Sequence, residues 1–175
     1  MKPIVFLIFV LLATCCDSQT PLTDKMIHYS ATDYSLDYPE EWSIDTSRTL
    51  GADVFVFSPL ENEEDQFSEN VNVLIQNLEG QNIDLEKYKQ ITEQQITELA
   101  ADGKIIESVI VNSDKCDVYR MMYTMTQGEF RLRITSLCYI QHDKAYLITF
   151  CSELDKYETY KNMGEQILAS FRLIK

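Results

Sequence analysis

Glycine, histidine and basic side chains are all scarce in this chain. Five glycines in 175 residues leave little from which to build a phosphate loop or a dinucleotide-binding turn, and neither pattern occurs. The two histidines, His28 and His142, have no G-x-S-x-G or other nucleophile motif beside them, so a hydrolytic triad has no support. Cys-x-x-Cys and His-rich tracts are absent, which removes the usual zinc and dithiol patterns. Lys and Arg number 15 against 28 Asp and Glu, for a formal charge of −13. A surface of that sign repels nucleic-acid phosphates, which argues against nucleic acid as a partner. It repels anionic lipid as well, so membrane attachment requires a covalent or inserted anchor. No repeat and no Pro- or Gly-rich linker divides the chain, and its length fits one domain.

What is present is apolar and aromatic. Hydrophobic residues make up 45% of the chain, and ten Tyr and eight Phe offer large bodies for a core. The most apolar stretch is Ile4 to Ala13, an unbroken run of ten preceded by Lys2. It matches the apolar region of a signal peptide and is too short to span a bilayer comfortably. Leu12-Ala13-Thr14-Cys15 follows and resembles the lipobox of bacterial lipoproteins, although Thr14 stands where Gly, Ala or Ser is usual. The resemblance implies that Cys15 becomes the first residue of the processed chain and carries the lipid, with Cys16 as the alternative. Cleavage there would remove Lys2, the sole charge before Cys15, and lower the formal charge by one to −14. Conventional secretory cleavage and an uncleaved anchor are the competing readings. Residues 1–14 are thus expected to be a signal segment, 15–26 a polar tether and 27–175 the folded domain.

Alternation predicts strands over Met26–Ser30, Tyr34–Tyr38, Asp53–Phe57 and Asn70–Leu78. Apolar residues at Leu85, Tyr88, Ile96 and Leu99, with Thr92 on the same stripe, predict a helix over Asp84–Asp102. Asp84 would cap it and Gly103 would end it. Four strands are predicted next, Lys104–Asn112, Lys115–Thr126, Glu129–Gln141 and Lys144–Cys151, as an antiparallel meander. The turns are placed at Ser113-Asp114, Gln127-Gly128 and around Asp143. A last helix is expected over Glu153–Ser170, with Ser152 as its cap.

A turn at Gln127-Gly128 would set Phe130 opposite Met125, Leu132 opposite Tyr123, Ile134 opposite Met121 and Ser136 opposite Tyr119. One face is then almost wholly apolar. The other face pairs Arg131 with Thr124, Arg133 with Met122, Leu137 with Val118 and Tyr139 with Cys116. It mixes apolar and charged patches, as expected where a second helix covers part of it. The turn at Ser113-Asp114 would place Glu107 opposite Arg120. This register separates Cys116 from Cys138 and puts Cys151 beside Ser136, so Cys138 and Cys151 could bridge only across a diagonal. Buried free thiols are the simpler reading.

These elements describe an α+β fold, an antiparallel sheet flanked by helices. Within it, Tyr34–Trp42 (YSLDYPEEW) resembles the entry segment of PsbP-like domains, aromatic-Ser-x-x-Tyr-Pro-x-x-Trp. Asn70–Val73 (NVNV) and the chain end Ile167–Leu173 (ILASFRL) are similar to the corresponding parts of that family, and the resemblance spans residues 28–173. It implies the α/β/α sandwich shared by PsbP, Mog and small bacterial envelope lipoproteins, whose members act by binding or assembly. It carries no catalytic motif and no cofactor, and nothing here resembles a thylakoid transit peptide.

The functional expectation is therefore a non-enzymatic, lipid-anchored protein of the bacterial cell envelope, periplasmic or surface-facing, that binds a protein partner or aids assembly. The runner-up is a small-ligand carrier with a pocket between sheet and helix. Arg120, Arg131 and Arg133 form a basic cluster that could meet an anionic partner, although a charge-paired sheet surface is the plainer reading. Trp42 is expected in the core. The acidic stretch Glu61–Asp65, continued by Glu69, lacks the spacing of a calcium loop and is expected to be solvated.

Overall fold

A computed structural model describes residues 25–112 and 116–174. The chain forms β1 (Met26–Ser30), β2 (Tyr34–Pro39), β3 (Ser43–Asp45), β4 (Val54–Phe57), β5 (Asn70–Asn77), α1 (Leu85–Leu99), β6 (Lys104–Val111), β7 (Val118–Gln127), β8 (Phe130–Gln141), β9 (Lys144–Glu153), α2 (Tyr157–Ser170) and β10 (Arg172–Leu173). Seven strands make one antiparallel sheet in the order β3-β4-β5-β9-β8-β7-β6, and β1-β2-β10 make a smaller one.

Alternation along the central strands builds two cores. On β9, Tyr146, Ile148 and Phe150 pack with Met163, Ile167 and Leu168 of α2, together with Tyr34, Leu36 and Trp42. Ala145 and Leu147 point the other way and join Tyr119, Met121 and Cys138 beneath Tyr88 and Ile96 of α1. The sheet is therefore clasped by one helix on each face, and the small sheet shares the α2 side. Trp42 is buried at 5% exposure and meets Tyr160 edge-on at 6.4 Å, a core anchor as its sequence context suggests.

The hairpin registers differ from expectation by even steps. The β7–β8 turn is Gly128–Glu129, which pairs Gln127 with Phe130, Met125 with Leu132, Tyr123 with Ile134 and Met121 with Ser136. Arg131 consequently faces Thr126, Arg133 faces Thr124, Leu137 faces Arg120 and Cys138 faces Tyr119. Gly128 has φ +60, and a two-residue loop with one left-handed residue wants glycine first, not second. Because the shift is two residues, every side chain keeps its expected face. At the next turn His142 and Asp143 are both left-handed, so Gln141 pairs with Lys144 and Cys151 lies opposite Ile134. Cys138 faces Leu147, four residues from Cys151 and roughly 13 Å along the strand at the usual strand rise. The diagonal disulfide is thereby excluded, and Cys138 and Cys151 are free thiols.

Three further corrections concern element ends. Val111 pairs with Val118 at the hairpin end, which places Val109, not Glu107, opposite Arg120, and a bulge interrupts the ladder between Ile105 and Glu107. Helix α2 begins only at Tyr157, because Ser152 and Glu153 stay in the ladder opposite Arg133 and Leu132. Helix α1 is capped as expected, with Lys87 N donating to Asp84 Oδ1 at 2.8 Å, but it ends at Leu99, which is exposed. Gly103 serves a different purpose from a left-handed stop, since Asp102 takes the positive φ. A side chain at Gly103 would stand 2.3 Å from the Ile96 carbonyl oxygen, so glycine is needed there for space.

Candidate functional site

The arginines share one face of the sheet but have separate tasks. Arg120 is held between helix and sheet: its Nη1 and Nη2 donate to Glu165 at 3.1 and 2.6 Å, and its Nε lies 3.3 Å from Glu107. The Glu165 carboxylate raises its pKa further, so the charge is permanent and internally matched. Arg133 stacks over the Tyr157 ring at 4.1 Å from its centroid. Arg131 is the exposed member. The expected Glu107–Arg120 pair thus exists, reached diagonally across the β6–β7 ladder.

The acidic loop after β4 is docked, not merely solvated. Lys156, just before α2, brings its ammonium within 2.9 Å of Asp65, 3.1 Å of Glu153 and 3.6 Å of Glu61. Tyr160 donates to Glu61 at 3.1 Å. Burial opposes the Lys156 charge, but hydrogen bonds to Asp65 and Glu153 outweigh it and raise its pKa. Asp65 is held below the usual carboxylate range, chiefly by the Glu61 backbone N–H. Behind it Glu69 is fully buried, accepts from the Ser58 and Ser152 hydroxyls at 3.5 Å, and is pushed upward by desolvation. The cation these carboxylates meet is Lys156.

One open end of the molecule carries a polar cleft of about 580 Å³. The β1–β2 turn supplies Asp33, the segment before β4 supplies Arg48 and Asp53, and the start of β9 supplies Lys144. Lys144 donates to Asp33 Oδ2 at 2.7 Å, and the Tyr146 hydroxyl reaches the same oxygen at 3.2 Å. The Lys144 hydrogen bond lowers the Asp33 pKa and keeps that carboxylate ionised. Buried Tyr34 donates to Asp53 Oδ2 at 2.9 Å, and Arg48 Nε lies 3.3 Å from Asp53 Oδ1. None of these residues formed a sequence motif, because three well-separated segments supply them. The cleft lies between the two sheets' turns, not between sheet and helix where a carrier pocket was expected.

A third exposed feature is the outer edge of the large sheet. Among the described residues strand β6 has no neighbour beyond it, and Ile106, Val109 and Val111 are exposed at 47, 41 and 47%. His28 is exposed and paired with Asp37 at 2.7 Å, and His142 sits in its turn. Cys15 and Cys16 lie outside the described residues, as does the whole expected signal segment.

Sheet order and the two clasping helices define an α+β sandwich domain with a surface of paired charges. The chain belongs to the PsbP family: the family's model, described as PsbP, matches residues 24–173. No curated protein matches. Among solved structures it is similar to cyanobacterial PsbP (CyanoP) from Synechocystis sp. PCC 6803, at 17% identity and a TM-score of 0.64, covering 85% of this chain and 92% of that one. It is also similar to LpqN of Mycobacterium tuberculosis, described as involved in cell envelope biogenesis, at 10% identity and a TM-score of 0.60, covering 86% and 90%. A protein of unknown function from Pseudomonas aeruginosa, PA94, is similar at 10% identity and a TM-score of 0.57, covering 82% and 93%. At these identities the likeness establishes the fold.

Proposed function

We propose that this chain is a non-catalytic, lipid-anchored protein of the bacterial cell envelope whose PsbP domain binds a protein partner or aids assembly. The observation that carries the binding role is β6, among the described residues an unpaired edge of eight residues bearing exposed Ile106, Val109 and Val111. Unpaired backbone groups at such an edge accept an added strand, and the flanking apolar side chains give the contact its selectivity. Arg131 adds an exposed cation on the sheet face that Val109 shares, while Arg120 is matched by Glu107 and Glu165 and Arg133 stacks on Tyr157. The anchor rests on the apolar run and on Leu12-Ala13-Thr14-Cys15, and the envelope role in LpqN's description supports the same address. Among the described residues no helix is long and apolar enough to cross a membrane.

Two measurements test this. Intact mass of the membrane-extracted protein is expected to show a diacyl or triacyl adduct on Cys15, lost in Cys15→Ser; an unmodified chain would overturn the anchor. A photocrosslinking residue placed at Val109 is expected to give a defined adduct in cells that Val111→Lys removes. The same probe at Ser43, on the opposite edge, is expected to give none. Equal adducts from both edges, or none from Val109, would overturn partner binding at β6.

A further inference from the structure

We infer that the cleft between Asp33, Arg48, Asp53 and Lys144 is a binding site for a small zwitterion, a free amino acid or short peptide with one ammonium and one carboxylate. Its volume of about 580 Å³ falls within the range of small-ligand sites. Its charged lining is two cations and two carboxylates. Each is engaged with a wall partner, and Lys144, Arg48 and Asp33 keep hydrogen-bonding capacity for a ligand.

Lys144 spends one of its three donors on Asp33. Arg48 Nε lies 3.3 Å from Asp53 Oδ1 and the side chain is 80% exposed, so its five-donor guanidinium has N–H groups to offer a ligand. Asp33 takes both Lys144 and Tyr146 on Oδ2, leaving Oδ1 open. A ligand carboxylate can therefore receive Arg48 and Lys144, while its ammonium donates to Asp33. A ligand without net charge also avoids repulsion from a chain of −13, whereas an anion of the same size would not.

The walls are preset. Tyr34 is fully buried and fixes Asp53, while buried Tyr146 fixes Asp33. Tyr29, Ala31 and Ile75 add an apolar side suited to a hydrophobic side chain. The segment carrying Arg48 is strained: Arg48 and Leu50 hold φ of 63 and 54, a conformation that L side chains avoid, with Gly51 at 82 beside them. Leu50 stands 91% exposed in this segment. Backbone strain of this kind gathers at ligand clamps, where a fixed side chain position is worth its cost.

The test uses the full chain with L-phenylalanine and the dipeptide Ala-Phe as probes, followed by calorimetry and amide chemical shifts. At least one probe is expected to bind saturably at millimolar concentration or below, with shifts at residues 31–33 and 46–53. N-acetylated and C-amidated forms of that probe are expected to bind about tenfold more weakly or worse, because each loses one charged hydrogen-bonding end. Arg48→Gln, on an exposed side chain, should weaken binding to a similar degree without changing the unfolding temperature, and Asp33→Asn should weaken it too. Absence of saturable binding by both probes, equal binding of the blocked forms, or shifts confined to other regions would each overturn the assignment. Strand β6 is not part of the cleft, so failure here leaves the partner-binding reading intact.

Discussion

Gly164 is the position where two well-known effects of one substitution oppose each other most clearly. It lies inside α2, where replacing glycine by alanine would normally stabilise a helix by about 1 kcal/mol. Here the added Cβ would stand 2.5 Å from Cγ and Cδ1 of Phe150 and 2.7 Å from Cδ2. Phe150 cannot retreat: it is fully buried on β9, paired with Val71 and Thr135 and packed against Tyr157 at 6.0 Å. Overpacking a rigid core costs about 1–3 kcal/mol, and contacts this short belong at the upper end. Gly164→Ala is therefore expected to destabilise the domain by about 2 kcal/mol net. For a domain of this size that lowers the melting temperature by roughly 4–8 °C. Urea denaturation at constant m-value measures it. Phe150→Leu supplies the control, since the smaller side chain makes room for the methyl. The double variant should be more stable than the sum of the single losses by about 1 kcal/mol or more. A Gly164→Ala protein more stable than the parent, or strictly additive losses, would refute the packing argument.

Two further variants probe the same architecture. Asp84→Ala removes the side-chain acceptor for Lys87 N and should cost about 1 kcal/mol in urea denaturation, with α1 fraying first in amide exchange. Lys156→Met removes the cation that, among the described residues, pairs with Asp65, Glu61 and Glu153, and should cost about 2 kcal/mol at pH 7.5. That loss should shrink as pH falls. Asp65 has a lowered folded pKa, so its contribution is present above its unfolded value and disappears as acid protonates it. Glu69 has a raised one, so its penalty holds at neutral pH and is relieved on acidification. Melting temperatures of variant and parent that stay equally far apart from pH 7.5 down to about pH 2.5, below the ordinary carboxylate range, would contradict this assignment.

Much of the architecture is legible in the residues themselves because it depends on local chemistry. The period-two alternation of Asn70–Asn77 and of the four meander strands, and the stripe of Leu85, Tyr88 and Ile96, announce element type before any contact exists. The YSLDYPEEW segment announces both the family and the burial of Trp42. Facial assignments survive the register errors because a two-residue shift preserves the side of every side chain. The N-terminal run and its following cysteines are likewise a purely local signal, read without any fold.

Tertiary structure alone decided everything that depends on distance across the chain. Register was set by which turn residue became left-handed: Gly128 in first place, and His142 together with Asp143. That choice separated Cys138 from Cys151 and removed the disulfide. The acidic loop found its cation in Lys156, 91 residues beyond Asp65, and Glu69 became a buried carboxylate although its neighbours in sequence are exposed or half-buried. The cleft gathered Asp33, Arg48, Asp53 and Lys144 from segments that share no pattern. Periodicity encodes which face a residue occupies, since that follows from backbone geometry one residue at a time. It does not encode which distant charges meet, because such meetings follow from how the sheets close upon each other.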